Sequence, residues 1–266
     1  MSTPTLLPTL FVSHGAPLFA LEAGSTGPAL KAWADTLPAG LRGVVILSPH
    51  WMARSPTVMT TAHPPTWHDF GGFPKALYAL QYPASGNPAL GQEVLELLQA
   101  ADIAAQPDAQ RPMDHGAWVP LMHLFPRADV PVVQVALPVG WGPQQVYALG
   151  AALQSLRASG VLVVGSGSMT HNLGEFFGAQ TQTAPYVAEF SRWVESAVLR
   201  GERTALFNYR ELAPHAVRAH PSDDHFLPLF FALGAAGWGA DTPVQPSYLS
   251  REVMYGMLAM DAFALQ

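Results

Sequence analysis

Ten histidines and no cysteine stand in a chain of 266 residues, of which only 12% are charged. Without cysteine there is no disulfide, thiolate zinc site, iron–sulfur cluster or thiol nucleophile. Metal or proton-transfer chemistry must therefore fall to imidazoles and carboxylates, and neutral imidazole is the commonest metal ligand. Three histidines follow apolar runs directly: His14 after Thr9-Leu10-Phe11-Val12-Ser13, His50 after Val44-Val45-Ile46-Leu47-Ser48-Pro49, and His171 after the run that begins at Val161. Ligands of open α/β sheets bind beyond the carboxyl ends of the strands, so these three are expected to face one crevice. His225 ends the run His220-Pro221-Ser222-Asp223-Asp224-His225 at the start of an apolar helix. Ser222 and Asp223 are N-cap candidates there, and an imidazole on that rigid end would complete a metal-binding set. His115, in Asp114-His115-Gly116-Ala117-Trp118, sits where a loop enters a helix. His63, His68, His123 and His215 read as surface or pocket-wall residues.

Short apolar, β-branched runs predict strands over residues 9–13, 43–48, 57–61, 130–137 and 161–165. Several are apolar throughout, which is the pattern of strands covered on both faces. Helical periodicity predicts helices over 28–36, 88–101, 143–158, 185–199, 224–236 and 251–263, four of them with a proline near the start. Strands alternating with helices imply a single doubly wound α/β domain over residues 1–266, with a mostly parallel sheet. The stretch 62–88, rich in proline, glycine and aromatics, exceeds an ordinary connection and is expected to form a lid or pocket wall. Trp67, Phe70 and Phe73 are its candidate wall residues. The run Gly165-Ser166-Gly167-Ser168 lacks the register of a nucleophile elbow and is expected to be a tight turn that brings His171 to the crevice.

A net charge of −6 argues against a nucleic-acid groove or an anionic membrane partner. The N-terminal residues lack a secretory signal pattern. The longest apolar run, 226–236, is about half the ~20 residues of a membrane span, so a soluble, cytoplasmic protein is expected. Phosphate-binding, dinucleotide and His-Glu-x-x-His motifs are absent.

Five motifs, in order, carry a family resemblance: Ser13-His14-Gly15-Ala16-Pro17, Ser48-Pro49-His50-Trp51, Asp114-His115-Gly116-Ala117-Trp118, Gly165 through Leu173, and His220 through His225. Together they resemble the class III extradiol ring-cleavage dioxygenases, in the branch that includes DOPA dioxygenases. The resemblance runs from about residue 9 to the C-terminal segment. It implies a non-haem Fe(II) enzyme that opens a catechol with O2 to a muconic semialdehyde. By the same resemblance His14, His50 and His225 would be the metal ligands and His171 the acid–base residue. His115 would be a second catalytic histidine near substrate or oxygen, hydrogen-bonding to developing negative charge. His220 competes with His225 for the third ligand position. Three histidines also suit zinc with an open fourth position, and zinc binds such a set more tightly than Fe(II), so purified protein is expected to carry zinc. Two other readings stay open at this point: a zinc hydrolase, and a non-catalytic metal- or ligand-binding protein. The particular catechol, the native metal and the oligomeric state are not encoded in any motif.

Overall fold

The computed structural model describes residues 6–176, 182–239 and 244–266. The strands are β1 (Thr9–Ser13), β2 (Gly43–Ala53), β3 (Thr57–Met59), β4 (Gln106–Asp108), β5 (Val132–Pro138), β6 (Val161–Gly167), β7 (Pro246–Ser250), β8 (Val253–Met254), β9 (Leu258–Ala259) and β10 (Ala262–Leu265). The helices are α1 (Thr26–Ala34), α2 (Lys75–Tyr78), α3 (Pro88–Ala100), α4 (His115–Leu124), α5 (Pro143–Ala151), α6 (Leu173–Phe176), α7 (Pro185–Leu199), α8 (Arg203–Phe207), α9 (Tyr209–Leu212), α10 (Ala216–Ala219) and α11 (Leu227–Ala236). The main sheet has eight strands in the order β4-β3-β5-β2-β6-β1-β10-β7. Its centre, β5-β2-β6-β1, is parallel, and β10 and β7 extend it antiparallel beyond β1.

The continuous apolar character of β2 follows from its two covered faces. Val45 and Leu47 join the core built by α3, α5, α7 and α11. Val44 and Ile46, pointing the other way, join the core built by α1 and α4. The predicted parallel, doubly covered sheet is therefore present, with an antiparallel margin. Because β1, β2 and β6 run parallel and share register (Ser13 opposite Gly167, Leu47 opposite Gly165), their carboxyl ends reach the same edge.

Four sequence expectations need correction. The segment 251–263 is not a helix but the strands β8, β9 and the start of β10. Tyr255 and Gly256 adopt φ of +53° and +71°, left-handed values that end a right-handed helix, and β1 offers β10 a paired edge. The helix predicted over 224–236 begins later, at Leu227, with Phe226 at its N-cap and no side-chain cap from Ser222 or Asp223, so His225 precedes the helix. Gly165 and Gly167 lie within β6 rather than in a turn. Their lack of a side chain serves close approach: a Cβ on Gly165 would fall 2.0 Å from the Pro228 carbonyl oxygen, and one on Gly167 would fall 2.3 Å from that of His225. The helix predicted over 143–158 is split into α5 and a 3₁₀ segment, Gln154–Ser159, ending at left-handed Gly160.

Candidate metal centre

His14 is the first residue beyond β1. Its amide donates to the Gly167 carbonyl at 2.9 Å, adding one bond to the β1–β6 ladder. The Ser166 hydroxyl spends its single proton on the Gly116 carbonyl. Toward His14 Nδ1, 3.0 Å away, it can only accept. The ring proton of His14 is therefore on Nδ1, and Nε2 carries a lone pair. His50 sits on a bulge, because the β2–β5 register slips between Ser48 and Met52 and the added residues turn the strand out of its ladder. Ser48 accepts the His50 amide (3.2 Å) and donates to Asp114 (2.9 Å). Asp114 also receives Arg111 at 3.0 Å and Gln134. Only a glycine lets α4 pass here: a Cβ on Gly116 would lie 2.2 Å from Ser48 Oγ and 2.8 Å from His50 Cδ2.

His225 reaches the same point from the turn before α11. Its carbonyl accepts the Ser168 amide at 2.8 Å, tying the turn to the exit of β6. Its Nδ1 lies 2.7 Å from Asp224 Oδ2. Burial pushes the Asp224 carboxyl up, but hydrogen bonds, led by that from His225, hold it well below the usual range. As a carboxylate it only accepts, so His225 Nδ1 holds the proton and Nε2 is free. His50 Nε2 lies 3.1 Å from His14 Nε2 and 3.3 Å from His225 Nε2. One proton on His50 could satisfy only one of those contacts. A metal with bonds of about 2.0–2.1 Å to imidazole separates neighbouring ligand nitrogens by about 2.8–3.4 Å at right-angled to tetrahedral geometry. The His14–His50 and His50–His225 separations therefore fit ligands of one divalent ion. His14 and His50 also titrate far below the ordinary imidazole range, through burial first and neighbouring imidazoles second. Neutral rings are the form that binds metal.

Two further histidines complete the cluster. His115 opens α4, with its ring 3.9 Å from that of His50 at 43°. Asp69 Oδ1 accepts both its amide (2.9 Å) and its Nδ1 (3.0 Å). His14, His50 and His115 each offer a ring nitrogen within 4.8 Å of the others, so a second triad shares two members with the first. His171 lies flat on His225, ring centres 3.6 Å apart and planes 4° apart. Burial, then the His225 and His220 imidazoles, lower it to about 3.

A family model, "Catalytic LigB subunit of aromatic ring-opening dioxygenase", matches residues 8–258. The chain belongs to that family. The "4,5-DOPA dioxygenase extradiol" of Beta vulgaris is 36% identical over 86% of this chain and 87% of its own length. The protein of that name from Escherichia coli K12 is 34% identical over 90% and 88%. The crystal structure of an uncharacterized protein from Escherichia coli K12 superposes with a TM-score of 0.80 at 28% identity, covering 98% of this chain and all of that one. This LigB-family protein is thus a metal-dependent extradiol ring-cleaving dioxygenase with the family fold. The comparisons give no support to the hydrolase or the binding-protein readings.

Of the sequence-derived candidates in this LigB-family chain, His14, His50, His115, His171 and His225 all converge. His220 does not. It is fully buried against Phe190 and Phe226, and its Nε2 donates to the Met169 carbonyl at 2.9 Å. It anchors the turn before His171, whose amide donates to Ala219 at 2.8 Å. His68 donates to the Leu80 carbonyl within an aromatic group of Phe70, Tyr78 and Trp118. His123 donates to Phe19, His215 faces Glu189, and His63 is exposed. Of the expected wall residues, Phe70 packs edge-on against His115 (5.5 Å) and Phe73 packs against Phe70. Trp67 instead stacks on the Arg111 guanidinium at 4.9 Å. Sequence reasoning missed Ser166 and Asp69 as partners of the histidines. Asp69 alone carried a signal, as the only acidic residue between positions 62 and 88.

Proposed function

We propose that His14, His50 and His225 hold one divalent metal, Fe(II) in the working enzyme, and that the chain opens catechols related to DOPA. The observation that carries this reading is the convergence of Nε2 atoms at 3.1 and 3.3 Å, with the Nδ1 edges of His14 and His225 occupied by Ser166 and Asp224. The substrate class is suggested by the names of the plant and bacterial relatives. The bound metal would supply Lewis acidity toward the catechol oxygens and one-electron chemistry with O2. The remaining work belongs to side chains. His171 is uncharged at neutral pH and takes a hydroxyl proton from the catechol at a ring nitrogen, then returns it as the ring opens. Phe70, against His115, closes an apolar side of the site. Residues 1–266 act as one catalytic domain. The described residues include no helix long and apolar enough to cross a membrane.

A second reading makes His115 the third ligand in place of His225, since its nitrogen lies within 4.8 Å of those of His14 and His50. The ring of His115 meets that of His50 tilted at 43°, centres 3.9 Å apart, whereas His225 meets His50 nitrogen to nitrogen at 3.3 Å. The geometry therefore favours His225.

The test is anaerobic reconstitution with Fe(II) followed by O2 and a catechol panel that includes DOPA. A yellow ring-fission product is expected, with none from zinc-loaded protein. If no member of the panel gives product, the proposal fails. Protein purified without added iron is expected to contain zinc.

A further inference from the structure

We propose that Asp69 is a positioning residue that fixes His115 as a hydrogen-bond acceptor toward the substrate. This rests on the ring-opening function proposed above. One carboxylate oxygen of Asp69 receives both the amide and Nδ1 of His115, at 2.9 and 3.0 Å. A carboxylate has no proton to offer, so Nδ1 must donate. A neutral ring then carries a lone pair on Nε2. His115 consequently accepts a hydrogen bond, for instance from a catechol hydroxyl, instead of donating one to developing negative charge. This reverses the role that the family resemblance implied for it.

Asp69 is buried, with its side chain 7% exposed, and its second oxygen lies 3.9 Å from His50 Nδ1, outside hydrogen-bond reach but within ion-pair range. One carboxylate thus faces two imidazoles of the cluster. It also ties the long segment 62–88 to the first turn of α4. Trp67 and Phe70 flank it: the Trp67 carbonyl accepts the Trp118 indole at 2.9 Å and the Phe70 ring packs on His115. The segment therefore sets the ring's position and its proton together. An outer carboxylate that orients an imidazole in this way changes activity by roughly tenfold to a hundredfold when removed.

The experiment has a spectroscopic and a kinetic arm. In zinc-loaded, diamagnetic protein labelled with 15N at histidine, long-range 1H–15N correlations report which nitrogen of His115 is protonated. Wild type is expected to show Nδ1–H and a lone-pair Nε2. Asp69→Leu, which cannot accept, should shift His115 toward the Nε2–H form, while Asp69→Asn, whose carbonyl still accepts, should keep Nδ1–H. In Fe(II)-loaded protein, Asp69→Leu should lower kcat roughly tenfold to a hundredfold, with KM for the catechol changed less than about threefold and metal content unchanged. Asp69→Asn should recover most of that loss, and adding His115→Leu to Asp69→Leu should cost little more. A wild-type His115 protonated on Nε2, an unchanged tautomer in Asp69→Leu, or fully additive losses would overturn the proposal. If wild type opens no catechol at all, the functional reading fails, while the spectroscopic arm still decides the role of Asp69.

Discussion

The two halves of the histidine cluster are held by different chemistry. His14 follows β1 and His50 sits on the β2 bulge, where neutral hydroxyls support them: Ser166 accepts the His14 ring and Ser48 accepts the His50 amide. His115 and His225 stand where loops enter helices, His115 as the first residue of α4 and His225 in the turn before α11, and the carboxylates Asp69 and Asp224 take their Nδ1 atoms. Sheet register already positions the strand-borne pair, and for His14 a directional hydroxyl is enough to choose the tautomer. Loop residues have more freedom to lose, and a charge-assisted bond, roughly twice as strong as a neutral one, compensates.

The largest effect should come from breaking the strand-borne half itself. His14→Ala and His50→Ala should each lose the metal and all ring cleavage, read as metal per chain and product formed. The support then separates the halves. Asp224→Asn should weaken metal binding by roughly tenfold to a hundredfold, and Ser166→Ala by less, since β1 still holds His14. Equal losses in a competitive chelator titration would refute the contrast. Gly116→Ala should disturb the strand-borne half from the α4 side, because its Cβ collides with Ser48 and His50. The expected result is a several-fold weaker metal affinity together with a lower Tm.

These contrasts also explain what could be read in the chain. His14 and His50 were legible because each is contiguous with the apolar run of its own strand. The central parallel strands were legible from doubly apolar runs such as 43–48 and 161–165. The C-terminal strands were not, because the apolar spacing of 251–263 also fits a helix and only the left-handed backbone at Tyr255 and Gly256, with the free edge of β1, decides against it. Asp69 is 46 residues from its partner His115, and Ser166 is 152 from His14. Pairings of that range depend on the finished fold and leave no local pattern. His220 and His225 share one motif with similar surroundings, and they were separated only by packing, which buries His220 against Phe190 and Phe226.

Two smaller effects sharpen the picture. His220→Phe keeps the apolar packing but drops the bond to Met169, so it should loosen the turn that carries His171. A fall of a few-fold in kcat with unchanged metal content is expected, and loss of metal would contradict the anchoring role. Behind the strand-borne half, the Asp261 carbonyl accepts the Ser13 amide (3.1 Å) and hydroxyl (2.9 Å). Burial raises the Asp261 carboxyl to about 7, against about 3.9 unfolded. The folded state then binds this proton more tightly, so the group's stabilising contribution is complete below about pH 4 and is lost as pH climbs to about 7. Asp261→Asn should lessen the loss of stability between pH 5 and pH 8 by about 2.5 kcal/mol, read from denaturant midpoints. An unchanged pH dependence would place the titration elsewhere.

The most direct test of the centre is the metal content of His225→Ala beside that of His115→Ala, measured after equal exposure to Fe(II) or Zn(II) and dialysis. The geometry predicts that His225→Ala comes out nearly empty and that His115→Ala keeps close to one metal per chain while losing turnover. A full site in His225→Ala with an empty one in His115→Ala would contradict the proposed ligand set and make His14, His50 and His115 the metal-binding triad.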